Sequence, residues 1–110
     1  MEYRDVFLLE NIIEYCEQIL TSIRGLTLDS FSCNLDVRDA CALRVLQIGE
    51  LSGDLSEGLR FKHSDIPWHA IIGLRNIIAH EYGNVDTEVL WEIVRDDIPT
   101  LLQKCREIVA

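Results

Sequence analysis

The chain has 110 residues, of which 48% are hydrophobic and 26% are charged, so we expect residues 1–110 to form one globular domain. Its formal charge of −9 argues against a general nucleic-acid coat protein, because binding to phosphate depends on cations. The apolar runs are too short to cross a membrane, and the N-terminus MEYRDVFLLEN lacks the pattern of a signal peptide. We therefore expect a cytoplasmic protein.

Helical spacing dominates the first half of the chain. Apolar residues recur every three or four positions from Arg4 to Ile23, and Gly25 follows as a C-terminal cap. The next stretch, LTLDSFSCN, is predicted to be a turn-rich connection. A second helix is predicted from Asp36 to Ser56, with Leu43 and Leu46 lying away from its main apolar stripe. Because a helix that is apolar on two sides is buried on two sides, the second side is a candidate subunit interface.

The second half predicts two further helices. Residues 57–66 are expected to form a loop, after which Pro67 opens a third helix that ends near Tyr82. Asp86 or Thr87 then caps a fourth helix, which Pro99 should kink or split, with Asp97 available to cap its second segment. The expected fold is all-α, a bundle of four to five helices that we expect to form a homodimer.

The cysteines and histidines do not predict a metal site. Cys16, Cys33, Cys41 and Cys105 include no C-x-x-C pair, and reduced cysteines in the core are the expected state. His69 and His80 are eleven residues apart, about 16 Å along a helix, and cannot share a metal ion. We expect no cofactor.

The third helix carries the polar residues that packing alone does not require. His69, Gly73, Asn76 and His80 are separated by four, three and four residues and share one side of the helix. The other side is apolar but includes Arg75, and Tyr82 lies almost directly above this arginine if the helix persists. The apolar residues of that side are Ile71, Ile72, Leu74, Ile78 and Ala79.

An arginine on an apolar helix face needs a partner, because an unpaired buried charge is costly. Glu50, on the second helix, is the carboxylate that we expect to pair with Arg75. In one interpretation this pair only links two helices, and His80 caps its helix. In the other, a guanidinium and a titratable imidazole near one helix end handle a phosphate group. Residues 60–80 contain three cations against Asp65, so this segment is locally basic.

The stretch RNIIAHEY, residues 75–82, resembles the R-x4-H-x-Y signature of the HepT family in the HEPN superfamily. The context agrees with this resemblance through IGE at 48–50, IPWHAIIGLRN at 66–76 and a closing GNVD followed by VLWEIV. It implies a toxin of a toxin–antitoxin pair, a ribonuclease that needs no metal. Its antitoxin would be an MntA-like nucleotidyltransferase that adds AMP to the motif tyrosine, here Tyr82. It also implies a homodimer whose motif helices meet near the two-fold axis.

The residue types fit RNA cleavage independently of this resemblance. Attack of a 2′-hydroxyl on the adjacent phosphate requires a base, an acid and a group that stabilises charge on phosphorus. An imidazole, with an ordinary pKa of about 6.5, suits both proton transfers, and a two-fold dimer supplies two His80 side chains. Arg75 offers a fork of donors to phosphate oxygens, and Asn76 could bind a phosphate oxygen or orient His80.

Two alternatives remain at this stage. The chain could be a non-catalytic binding module, an accessory subunit of a nucleotidyltransferase that holds a nucleotide or a segment of its partner; the net charge favours this reading. It could also be a purely structural helical dimer, which would require Arg75 and His80 to be fully occupied by intramolecular bonds.

Overall fold

The computed structural model describes residues 1–81 and 86–110, and the side chains of residues 1–79 and 86–110. These residues form helices and connections with no strand, which confirms the all-α prediction. The helices are α1 (Tyr3–Ile23), α2 (Leu28–Cys33), α3 (Leu35–Asp54), α4 (Glu57–Lys62), α5 (Trp68–Glu81), α6 (Thr87–Glu92) and α7 (Ile98–Val109), with a π-helical turn at Ile93–Asp97.

The first long helix begins and ends close to its predicted bounds. Gly25, just beyond α1, has a φ of +77°, a left-handed conformation that glycine adopts without steric cost. Two contacts show that α1 and α3 run antiparallel. Asp5, near the start of α1, accepts hydrogen bonds from Ser56, just past the end of α3. Ser22, near the end of α1, accepts a hydrogen bond from Arg44, which lies nearer the start of α3. α1 also packs against α7, and α3 packs against α5.

Two segments predicted to be irregular are helical. Within LTLDSFSCN, α2 forms because Thr27 and Ser30 make a reciprocal capping box that satisfies the first backbone donors. Within the predicted loop at 57–66, Ser56 caps α4 by accepting from the backbone nitrogen of Leu59. Both helices bury one apolar anchor, Phe31 in α2 and Leu59 in α4, which ties them to the core.

The fourth predicted helix is split before Pro99, but not in the predicted way. Asp86, one of the two predicted caps, does cap α6: it accepts a hydrogen bond from the backbone nitrogen of Glu88. Asp97 makes no capping hydrogen bond, so that prediction is wrong. The chain instead widens into the π-helical turn and continues directly into α7. This widening accommodates Pro99, which has no N–H to donate and would crowd the preceding turn of a regular helix.

One hydrophobic core joins these helices. Trp91 packs against Phe31 with ring centroids 5.0 Å apart, which connects α6 to α2. Leu43 of α3 is 59% exposed, whereas Leu46 packs against the core, so only part of the second apolar side of α3 is covered within the chain. In the described part of the chain, no helix is both long and apolar enough to span a bilayer. The fully buried core side chains include Leu9, Ile12, Ile19, Phe31, Val45, Ile48, Val94 and Ile98.

Candidate functional site

Two glycines of α3 set how closely α5 approaches it. A Cβ atom at Gly49 would lie 3.0 Å from both the Cβ and the backbone nitrogen of Arg75, and 3.1 Å from the carbonyl oxygen of Ile71. A Cβ atom at Gly53 would lie 3.3 Å from Nη1 of Arg75. The stem of Arg75 therefore passes over a strip of α3 that has no side chains, and its guanidinium lies beside Gly53.

Arg75 pairs with Glu50, as the sequence predicts. Its Nη1 lies 3.6 Å from Oε2 of Glu50, and the two side chains are 36% and 52% exposed. This separation is longer than the 2.7–2.9 Å of a strong charge-assisted hydrogen bond. The guanidinium makes no hydrogen bond to any described residue. Among the described residues, Arg75 therefore has a nearby carboxylate and no hydrogen-bond partner that occupies its donors.

The expectation that Arg75 lies on a buried helix face is correct only in part. Ile71 and Ile78 are buried, but Ile72 and Leu74 are half-buried and Ala79 is exposed. Because α5 lies at the side of the bundle, its apolar face is narrower than the sequence pattern predicts. An arginine at the edge of that face reaches solvent without the cost of full burial. A purely structural dimer, which requires a fully occupied Arg75, is not favoured by this geometry.

The polar side of α5 faces solvent over the described residues. His69 and Asn76 are exposed, and Asn76 makes no hydrogen bond to any described residue. The backbone of His80 continues the same helix one turn after Asn76, but the side chain of His80 lies outside the described residues. Tyr82, the predicted modification site, lies entirely outside them.

Thiols and metal ligands contribute no site in the part of the chain that the structure describes. Residues 1–79 and 86–110 contain no cluster of three or more His, Cys, Asp or Glu side chains that could hold a metal ion. Cys16, Cys41 and Cys105 are buried, and Cys33 is exposed; none forms a disulfide. Burial raises the pKa of Cys16 and of Cys105 to about 12 and that of Cys41 to about 11, so these three thiols stay protonated at neutral pH.

The positioning role of Gly49 and Gly53 was missed at the level of sequence. The signal is the spacing GELSG at 49–53, which puts two small residues one turn apart on one face of a predicted helix. Such a pair allows another backbone to approach closely. The sequence alone did not say which helix would use it.

Comparison with known proteins identifies the family of this chain. The family described as "Ribonuclease HepT-like" matches residues 12–108. A "Putative RNase" of Caldanaerobacter subterraneus subsp. tengcongensis is 32% identical over 92% of this chain and 90% of its own length. The "Probable ribonuclease HepT" of Thermococcus cleftensis is 32% identical over 91% of each chain. No solved structure matches. This chain belongs to the HepT-like ribonuclease family, within the HEPN superfamily.

Proposed function

We propose that this protein is a metal-independent endoribonuclease with Arg75 and His80 as its catalytic residues. The observation that carries the proposal is the state of Arg75: its guanidinium is anchored near Glu50, partly exposed, and makes no hydrogen bond to a described residue. A bond-saturated arginine would indicate a structural link. An arginine that is held in position, with no described residue bonded to its donors, is suited to bind the two oxygens of a phosphodiester.

The reaction begins with proton removal from the RNA 2′-hydroxyl by His80 of one subunit. The 2′-oxygen then forms a bond to phosphorus while the bond from phosphorus to the 5′-oxygen breaks. His80 of the second subunit gives its proton to that leaving oxygen, so a homodimer supplies both the base and the acid. Arg75 stabilises the charge on the phosphate oxygens, and Asn76 positions the phosphate or the imidazole.

Exposed apolar residues near this site support the homodimer. Ile77, directly after Asn76, is 41% exposed, and Leu43 of α3 is 59% exposed. Scattered exposed apolar side chains are common. However, Ile77 lies on α5, which carries Arg75, and Leu43 lies on α3, which carries Glu50. Contact between two copies along α5 would bury Ile77 and bring two motifs together.

The physiological role that we propose is that of a cytoplasmic toxin whose residues 1–110 act as one domain. A cognate MntA-like nucleotidyltransferase would neutralise it by transferring AMP to Tyr82. Tyr82 follows His80 by two residues, so a nucleotide attached there adds bulk and negative charge close to the motif. Both would oppose the entry of an RNA phosphate.

Cleavage of purified RNA in EDTA tests the ribonuclease. We expect the wild-type protein to cleave and both His80→Ala and Arg75→Ala to lose activity by at least about a hundredfold, because each removes a group that acts in the transition state. Equal cleavage by wild type and His80→Ala, or no cleavage by the wild type, would contradict the proposal.

Intact-mass measurement tests the modification. After co-expression with a cognate MntA-like nucleotidyltransferase, the wild-type chain should gain the mass of one or more AMP groups, and Tyr82→Phe should not. The same gain in Tyr82→Phe would move the acceptor to another residue.

One observation favours a second function, that of a non-catalytic accessory subunit. The formal charge of −9 opposes general binding to RNA. In that case the protein would bind a nucleotide or its partner tightly, binding would survive His80→Ala, and expression of the chain alone would not be toxic.

A further inference from the structure

An open groove lies between α4 and the first turns of α5, outside the Arg75 site. Its volume is about 450 Å³. Its wall includes a carboxylate, a guanidinium, an imidazole and two aromatic rings, from Glu57, Arg60, His69, Phe61 and Trp68. Such a mixture of a cation, hydrogen-bonding groups and ring faces differs from the uniformly apolar lining of a packing defect.

Arg60 has an unused donor at this groove. Its Nε is buried, and it has no hydrogen-bond partner among the described residues. Buried donors are nearly always paired, because an unpaired donor loses its hydrogen bonds to water and gains none in return. The guanidinium likewise forms no ion pair with a described carboxylate, although Glu57 lines the same groove. Because Nε is shielded from solvent, an external anion would have to bind at the Nη donors of Arg60, which make no hydrogen bond to a described residue.

Phe61 exposes a ring face next to this arginine. Phe61 is 85% exposed, whereas Trp68 at the same groove is buried and uses its indole nitrogen to donate to the carbonyl oxygen of His63. Trp68 is therefore committed to the fold, while Phe61 packs against little of it. An exposed aromatic beside a cation is the arrangement with which single-stranded nucleic acids are held, by base stacking and phosphate binding.

Ile72 of the groove wall and the guanidinium of Arg75 both lie close to Gly53 of α3. Ile72 lines the groove, and a Cβ atom at Gly53 would lie 3.8 Å from Ile72 and 3.3 Å from Nη1 of Arg75. His69 of the groove wall and Asn76 lie seven residues apart on the same exposed side of α5, a rise of about 10 Å. A strand bound at Asn76 can therefore extend along α5 to the groove.

We propose that this groove is a subsite for a nucleotide flanking the cleaved bond of single-stranded RNA. Phe61 stacks on the base, Arg60 donates to a phosphate, and His69 donates to or accepts from the ribose or phosphate. Glu57 would repel a phosphate, so its carboxylate faces the base or the ribose, where it accepts from an amino group or the 2′-hydroxyl. This inference rests on the proposed ribonuclease function and adds the residues that position its substrate.

Binding measurements on full-length protein test the subsite. In a His80→Ala background, fluorescence anisotropy in EDTA would follow labelled single-stranded RNAs of two to eight nucleotides. Arg60→Ala and Phe61→Leu should each weaken binding of the longest RNA about tenfold, or about 1.4 kcal/mol. The loss should shrink as the RNA is shortened, because a dinucleotide cannot reach both Arg75 and the groove.

The salt dependence of RNA binding separates the phosphate contact of Arg60 from the base stacking of Phe61. Arg60→Ala should flatten the plot of log affinity against log salt concentration by about 0.7, the value for one lost phosphate contact on a single strand, and Phe61→Leu should not. Arg24→Ala and Phe7→Leu are the matched controls. Arg24 follows the end of α1 that is remote from α4, and Phe7 is exposed on α1.

The outcomes distinguish this inference from the ribonuclease proposal. If wild type cleaves RNA and His80→Ala does not, but both groove variants bind within twofold of their background, the subsite is wrong and the nuclease stands. An equal loss of RNA affinity in the control variants would also overturn the subsite. So would groove variants that bind RNA normally but no longer bind a protein partner. Arg60→Lys shows whether a loss of affinity comes from the missing forked guanidinium. The unfolding midpoint of each variant shows whether it comes from misfolding. If the wild type neither binds nor cleaves RNA, both proposals fall.

Discussion

Gly49 of α3 and Arg75 of α5 are in direct backbone contact: a Cβ atom at Gly49 would lie 3.0 Å from the backbone nitrogen of Arg75. This is tighter than most Cβ contacts in proteins, so a side chain at position 49 would require α5 to shift by a few tenths of an ångström. The position of Arg75 thus depends on the absence of a side chain on a different helix.

Gly49→Ala and Gly53→Ala are expected to separate stability from activity. At Gly49 the new methyl would meet backbone atoms of α5, so the helices must move apart, and we expect a loss of about 1–3 kcal/mol in the free energy of unfolding. At Gly53 it would lie 3.3 Å from the flexible end of Arg75 and in ordinary contact with Ile72 at 3.8 Å, and alanine gains up to about 1 kcal/mol of helix propensity. Gly53→Ala should therefore unfold no more easily than wild type.

Urea unfolding and RNA cleavage measured on both variants check this expectation. Since the methyl at position 53 displaces the guanidinium, Gly53→Ala should cleave RNA several-fold more slowly despite its intact stability. Equal stability of the two variants would show that α5 can shift without cost.

Comparing Arg75 with Arg106 tests whether RNA cleavage depends on the arginine of the motif or only on the total positive charge. Both form partly exposed ion pairs, Arg75 with Glu50 at 3.6 Å and Arg106 with Glu17 at 3.0 Å. Exposed pairs contribute about 0–1 kcal/mol, so Arg75→Met and Arg106→Met should each change stability by less than about 1 kcal/mol. Arg75→Met alone should lower kcat/KM for RNA, by about 10²–10³. A similar loss in Arg106→Met would indicate a general effect of charge.

The long helices could be predicted from the sequence because their apolar residues repeat over many turns. α2 and α4 could not, because six residues are too few to show a period, and their stability comes from caps and from anchoring by Phe31 and Leu59. The Arg75–Glu50 pair was predictable, since a cation on an apolar face requires an anion nearby. The groove at Arg60 was not, because it exists only where α4 meets α5.

Asp5 links the start of α1 to the start of α4. Its carboxylate is 3% exposed and accepts from the backbone nitrogen of Ser56 at 2.9 Å and from its hydroxyl at 2.6 Å. Asp5→Ala leaves these donors without their partner, so the free energy of unfolding should fall by about 1–3 kcal/mol. Glu10→Ala, on the exposed side of the same helix, should change it by less than about 0.5 kcal/mol. Urea denaturation of both variants measures the difference, and equal midpoints would contradict a structural role for Asp5.

The four thiols should differ in reactivity and in their effect on alkaline stability. At pH 8 a thiol reagent should modify one cysteine per native chain, the exposed Cys33, and all four after unfolding. Cys33→Ser should remove the fast reaction; a fast phase that persists would contradict the burial of the other three.

Burial also raises the pKa of Cys16 and Cys105 to about 12 and that of Cys41 to about 11, above the ordinary value of 9.0. The unfolded chain therefore releases these protons at lower pH than the native one. The stabilisation is fully present below about pH 8.5 and is lost as pH rises toward 11 and 12. Urea midpoints measured from pH 7 to 10.5 should fall above pH 9, and Cys41→Ala should fall less steeply because it has one buried thiol fewer. A variant that fell as steeply as wild type would assign the alkaline loss to other groups.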